Sequence, residues 1–233
     1  MDNIESLMIF GLTRQEANIY ILLCREGELN GYEVSKLTGI SRSNSYSALA
    51  GLVDKGAAYI IEGDAIKYTP VNIEEFCENK IRFMIENKNN LIRSIPTKKI
   101  KDDGYITIKG EKHIMNKFKH MIVNAKERAY LFVCEEILNL VLDELKELRK
   151  RNIKIVIITD SSFKFQGAKV YHKDHNPKQI RLIVDSKYVL TGEIEDKLNS
   201  TCLYSSNSNI VDVFKESLTN EIKLIEIEEG RDF

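Results

Sequence analysis

The densest cluster of hydrogen-bonding side chains in this sequence is Ser41, Arg42, Ser43, Asn44, Ser45, Tyr46 and Ser47. Hydroxyls, an amide and a guanidinium crowded at the start of one predicted helix are suited to base edges and phosphates, so the polar N-terminal half of that helix is the part free to enter a major groove. Three other groupings could do chemistry. Asp160 and Ser161 follow an apolar strand, where open α/β sheets bind ligands, and with Asp185 they could hydrogen-bond a hydroxylated small molecule. Taken singly, each is better explained by helix capping or turn formation. His172, Asp174 and His175 have a metal-like spacing, but a solvated loop explains them better. His113 and His120 share a helix face but lie too far apart to chelate together. The sequence holds no P-loop, G-x-G-x-x-G, G-x-S-x-G or H-E-x-x-H, so no cofactor or metal is expected.

The elements that must position the polar cluster read as follows. Thr13 and Glu16 form a predicted capping box, and Ala17, Tyr20, Ile21 and Cys24 recur at helical spacing as far as Arg25, where Gly27 stops the helix. A second helix covers about Tyr32 to Thr38, with Val34 and Leu37 inward. Gly39 is the residue expected to take positive φ after it. Ser41 then caps a third helix that buries Tyr46, Leu49, Leu52 and Val53 and ends at Gly56. AAYII and IKYTPV flank an acidic Gly-containing turn and predict a β-hairpin. Three helices and a hairpin make a winged helix. Lys36, Lys67 and Tyr68 are its candidates for phosphate contact, beside Ser41, Arg42, Ser43, Asn44 and Tyr46 in the groove. The same module can serve in docking or dimerisation, but the polar cluster favours DNA.

From Asn72 to Ile95 the period changes. Cys77, Ile81, Met84, Lys88, Leu91 and Ile95 form a short heptad seam that Ile85 and Ile92 widen, and Ile81, Met84, Leu91 and Ile95 are expected to join two protomers. The competing reading is one amphipathic helix packed on its own domain. Pro96 and the basic run KKIKDD then read as a linker. Beyond it, YITIK, RAYLFVC and IKIVIIT predict strands, the last of the buried parallel kind. EKHIMNKFKHMIVNAKE and EEILNLVLDELKELRKR predict helices. FKFQGAKVYHKDHNPK reads as loose, IRLIVD and YVLTGE as a hairpin, and the end as a helix near Ile210–Asn220 followed by a strand, IKLIEIE. The expected domains are therefore 1–72, a winged helix; 73–101, a coiled-coil-like helix and linker; and 102–233, an α/β domain with a covered sheet.

Composition sets the outer limits. Hydrophobic residues at 43% and charged residues at 30% suit a globular chain with real cores. No apolar run spans a bilayer, and MDNIESLMIF carries acids where a signal peptide needs bases, so the expectation is cytoplasmic, with no membrane partner. Cys24, Cys77, Cys134 and Cys202 have no zinc spacing and are expected to be buried thiols. Net charge is −1. Residues 1–72 hold six basic side chains against nine acids, which is unusual for a DNA binder, whereas the segment 76–101 is basic.

Residues 1–76 resemble the TrmB family of transcriptional regulators. The resemblance is carried by GLTRQEANIY at 11–20, EVSKLTGISRSNSY at 33–46, LAGLVDKGA at 49–57 and IEGDAIKYTPVN at 61–72. The family pattern of arginine, tyrosine, two leucines and Lys-Gly falls on Arg42, Tyr46, Leu49, Leu52, Lys55 and Gly56. MarR-like and ArsR-like winged helices share part of it. Ser45 stands where the family usually has an apolar residue, and Gly51 sits inside the third helix, at a cost of about 1 kcal/mol against Ala. That helix is therefore expected to be soft.

The resemblance further implies a helical dimerisation segment and a C-terminal domain similar to the phospholipase D fold. In that fold's enzymes IRLIVDSKYVLTGE corresponds to H-x-K-x-x-x-x-D. Matching its aspartate to Asp185 puts Lys178 and Ile180 where the histidine and lysine belong, so the imidazole nucleophile and phosphate-binding cation are missing. The expected function is a homodimeric, double-stranded-DNA-binding transcriptional regulator under a sugar-like effector, not an enzyme. The alternatives are a phospholipase D or nuclease-type enzyme with an accessory winged helix, and a non-catalytic interaction scaffold.

Overall fold

The computed structural model describes residues 2–96, 104–160, 162–174, 176–195, 199–228 and 230. Ser161, His175 and most of the basic linker, singled out above, lie outside them. The chain divides into two compact units, 1–98 and 99–233. No helix among the described residues is long and apolar enough to cross a membrane.

The first unit contains α1 (Asn3–Ile9), α2 (Arg14–Glu26), α3 (Gly31–Thr38), α4 (Arg42–Asp54), β1 (Ala58–Ile61), β2 (Lys67–Pro70) and α5 (Ile73–Ser94). The helix α1 was not expected from the sequence. It is short, uncapped by any side chain, and anchored by the single buried Leu7. The Thr13–Glu16 capping box is present at α2. A second one, Asn30 with Glu33, starts α3. β1 and β2 pair antiparallel as the wing, and Leu29 bridges to Tyr68 through two backbone hydrogen bonds. The core joins Ala17, Ile19, Tyr20 and Leu23 of α2 to Val34, Leu49, Leu52 and Phe76. The Tyr20 hydroxyl donates to the Val71 carbonyl at 2.7 Å, tying α2 to the segment that leads into α5.

Several expected burials differ. Leu37 and Tyr46 are about half exposed, and Val53 only partly buried. Cys24 is exposed and Cys77 intermediate, so only Cys134 and Cys202 are buried thiols. In each helix the stripe turns by about one residue. Ile19 and Leu23 carry α2's packing instead of Ile21 and Cys24, and Ser45 and Ala48 carry α4's instead of Tyr46 and Val53.

The second unit is a seven-stranded mixed sheet in the order β3-β9-β8-β7-β4-β5-β6. Its strands are β3 (Tyr105–Lys109), β4 (Arg128–Phe132), β5 (Lys154–Thr159), β6 (Ala168–His172), β7 (Gln179–Val184), β8 (Tyr188–Glu193) and β9 (Thr201–Ser205). β4, β5 and β6 run parallel, and the remaining neighbours pair antiparallel. On one face pack α6 (Glu111–Val123), α7 (Glu135–Leu140) and α8 (Leu142–Lys150). On the other lies α9 (Ser208–Glu228). β5 is buried from both sides, with Ile155 and Ile157 in one core and Val156 and Ile158 in the other.

The second unit departs from the sequence reading in several elements. The helix expected over 135–151 breaks at the buried Val141. The loose region contains β6, which becomes a strand by pairing with β5, and β9 was not foreseen. The terminal strand does not exist: α9 runs on through Ile222–Glu228. IKLIEIE alternates well enough to suit either period. Tertiary partners decide it, since Leu218 and Ile225 bury on one face. Glu221 pairs with Lys173 at 2.6 Å, and Glu226 with Lys169 at 2.9 Å.

Candidate nucleic-acid interface

The turn between α3 and α4 is built from local hydrogen bonds. Gly39 takes φ +72°, which releases the chain from α3 at no steric cost. The Ser35 hydroxyl donates to the Ile40 carbonyl at 2.7 Å, and Ser41 Oγ accepts from the Asn44 amide at 3.4 Å to open α4. The inner face of α4 buries Ser45, Ala48, Leu49 and Leu52. Its outer face exposes Arg42, Ser43, Asn44, Tyr46 and Ser47. Ser41, Arg42, Ser43, Asn44 and Tyr46 thus lie together at one exposed helix start.

Two aromatic rings shape that surface. The Arg42 guanidinium lies 4.8 Å from the centre of the Tyr32 ring. The Tyr46 ring packs so closely on Gly31 that any Cβ there would strike it. Tyr32 orients the arginine, yet nothing in the sequence announced it. It sits ten residues away, across a turn, outside any helical repeat.

The phosphate candidates divide. Lys36 is exposed on α3. Lys67 is partly exposed and has Glu28 4.0 Å away. Tyr68 is only 8% exposed, and its side chain belongs to the core. It cannot reach a phosphate. The β2 alternation turns it inward while Lys67 points out.

Behind the interface, Glu16, Gly51 and Lys55 meet. The Glu16 carboxylate accepts from the Thr13 amide at 2.6 Å and from Lys55 Nζ at 2.6 Å. Lys55 and Thr13 together hold the Glu16 carboxyl below its ordinary pKa, although burial alone pushes the other way. A Cβ on residue 51 would collide with that carboxylate. The glycine inside α4 thus leaves the space into which the buried Glu16 carboxylate, paired with the partly exposed Lys55, fits.

The second unit does not bring its candidates together. Asp160 leaves the C-terminal end of β5, where its carboxylate accepts from the Glu135 amide at 3.3 Å. Asp185 follows β7, which runs antiparallel to β4, so it lies at the opposite end of the sheet. The five residues of β4 separate the two ends, roughly 15 Å. Asp185 accepts from the amides of Lys126, Glu127 and Arg128 at 2.8–3.1 Å. Those bonds hold its carboxyl below the usual range despite partial burial. Asp160 and Asp185 therefore do not share one site, and Ser161 lies outside the described residues. Lys178 pairs with Glu195 at 3.3 Å, and Ile180 is fully buried.

A family model described as "Sugar-specific transcriptional regulator TrmB" matches residues 7–74, and one described as the TrmB "EBD N-terminal" subdomain matches residues 104–221. The chain belongs to the TrmB family. It is a DNA-binding transcriptional regulator of that family, built as a winged helix-turn-helix followed by a sheet-rich unit. It is similar to the uncharacterized protein YrhO of Bacillus subtilis, at 23% identity over 96% of this chain and 86% of YrhO. It is 25% identical to the sugar-sensing regulator TrmBL1 of Pyrococcus furiosus, over 68% of this chain and 48% of TrmBL1. It thus spans about half the length of that relative. Of solved structures, the archaeal chromatin protein TrmBL2 aligns at TM-score 0.46 and 20% identity over 95% of this chain and 96% of that one. NucT of Helicobacter pylori aligns at TM-score 0.44 and 14% identity over 51% of this chain and 95% of NucT.

Proposed function

We propose that this TrmB-family regulator works as a cytoplasmic homodimer, reading operator DNA with the start of α4 and pairing protomers through α5. The observation that carries the reading is the exposed cluster around Arg42, with its guanidinium already held over Tyr32. Arg42, Ser43, Asn44 and Tyr46 meet base edges, Ser41 caps the helix, and Lys36 and Lys67 contact phosphates. The winged helix is not basic overall, so a single copy binds weakly, and a dimer that engages two half-sites compensates.

The support for α5 as the dimer contact is its surface. Every residue from Ile81 to Ile95 is exposed. Ile81, Met84, Leu91 and Ile95 fall on one seam and are 49–62% exposed. An exposed apolar stripe of this kind, interrupted at Lys88, marks an interaction surface, and heptad spacing suits a second copy of the same helix. The second unit is proposed to bind rather than catalyse, because Lys178 and Ile180 replace the residues a phosphodiesterase needs. Control by a sugar-like effector follows the family model's description and is part of the proposal.

The test is fluorescence anisotropy with fragments upstream of the gene. Binding should be selective and should weaken steeply with salt, because phosphate contacts release counterions. Equal and negligible affinity for every fragment at low salt would refute the reading.

A further inference from the structure

Beside Asp185 lies a cleft of about 360 Å³. Three elements bring lysines to it: Lys117 from α6, Lys126 from the segment before β4, and Lys187 from the turn between β7 and β8. His120, Tyr188 and Tyr204 are also in its wall. Asp185 is the one carboxylate lining it; three backbone amides occupy its oxygens, and the charge of Lys187 also acts on it, so three lysines face one carboxylate already held by the backbone. Among the described residues, none of the three lysines forms an ion pair. The lining is therefore cationic.

Its geometry goes beyond scattered surface charge. Lys117 is partly buried, with Nζ 3.7 Å from the centre of the Tyr204 ring, and desolvation draws its pKa below the ordinary lysine value. A partly desolvated ammonium is costly unless an anion or a ring faces it, and the contact found among the described residues is the Tyr204 ring. Tyr188 and Tyr204 lie on one sheet face with rings stacked at 6.3 Å and 10°. Tyr188 remains 39% exposed and offers a flat apolar surface at the rim. Lysines act as point charges, and three of them lining one cleft suit a dianionic tetrahedral group better than a planar carboxylate. The volume suits a small metabolite.

We propose that this cleft binds a phosphomonoester carried on a ring, with the phosphate among Lys117, Lys126 and Lys187 and the ring against Tyr188. The inference concerns ligand binding by the second unit and holds whether or not the DNA reading does. The hairpin turn and the segment before β4, which Asp185 locks together, supply two of the lysines, so the scaffold is set before the ligand arrives.

Titration calorimetry on the full chain without DNA tests it. The probes are glucose 6-phosphate, adenosine 5′-monophosphate, glucose, adenosine and inorganic phosphate. At least one phosphorylated probe should bind more tightly than both its dephosphorylated counterpart and inorganic phosphate, and which one does so identifies the carrier. Lys117→Met should weaken that binding by about tenfold or more, as loss of one charge-assisted contact does. Lys126→Ala/Lys187→Ala removes two exposed side chains while keeping the backbone amide that Asp185 uses, so this variant stays folded and should lose affinity at least as strongly. The proposal is overturned if neither phosphorylated probe binds, if the uncharged or ring-free probes bind as well, or if the double variant keeps full affinity. Failure of the operator experiment leaves these outcomes unaffected.

Discussion

The carboxylate of Glu16 occupies the space where a side chain at Gly51 would begin, and Lys55 clamps it there at 2.6 Å. Helix propensity alone says that Gly51→Ala should stabilise α4 by about 1 kcal/mol. The structure predicts the reverse. The added methyl displaces a carboxylate that is tied to Thr13, Lys55 and the start of α2, and loosening those bonds leaves the buried carboxylate less well compensated. Gly51→Ala should lower stability in chemical denaturation by about 1–3 kcal/mol, in the range of overpacking substitutions. Increased stability would show that the pair is free to move aside. The Glu16 carboxylate fills the gap that Gly51 leaves on α4.

Arg42→Ala should weaken operator binding by about 1–3 kcal/mol, the usual contribution of a base-edge contact, and leave the melting temperature nearly unchanged. A phosphate-contacting arginine would instead weaken all sequences alike. Tyr32→Leu should weaken binding by a smaller factor, and only while Arg42 is present. A double-mutant cycle across the pair measures that coupling. Additive effects would mean that the ring acts independently of the arginine.

Replacing Ile81 and Leu91 together by Asp should yield monomers whose two units remain folded, because both side chains are about half exposed in the single chain. In a dimer the same change buries charge at an apolar contact. Sedimentation velocity reads the outcome. A variant that stays dimeric would move the interface off α5.

Asp185→Ala should destabilise the second unit by about 2 kcal/mol, since three backbone donors lose a charged acceptor at the turn. Residues 185 and 186 both have φ +53°, and the Lys187 amide donates to the Val184 carbonyl, so the turn also favours a residue that tolerates left-handed backbone. Asp185→Asn keeps an acceptor and that tolerance, and should lose less. The pH dependence has a definite sign. A carboxyl held below its unfolded value adds stability above the unfolded pKa, and that contribution is lost as pH falls through the lowered folded one. Wild type should therefore lose more stability between about pH 5 and 2 than Asp185→Asn does. Parallel acid-unfolding curves would rule this role out.

The local devices of this protein are readable in its sequence because they are local. The Thr13–Glu16 box, the Gly39 turn and the Ser41 cap each depend on residues within three or four positions, and each stands where the spacing put it. The β7–β8 hairpin and the doubly buried β5 follow from period and apolarity in the same way. Relations across elements are decided only by the tertiary structure. Glu16 reaches Lys55 and Gly51 from a different helix, and Tyr32 reaches Arg42 across a turn. Tyr68 faces inward because of its strand register. β6 is a strand because β5 lies beside it, and Ile222–Glu228 is helical because Glu221 and Glu226 find cations on the sheet. Asp160 and Asp185 read as partners in the sequence, but parallel pairing of β4 with β5 and antiparallel pairing with β7 place them at opposite ends. The cationic cleft was invisible for the same reason: Lys117, Lys126 and Lys187 share no period, and the sheet's topology, which no local pattern encodes, brings them together.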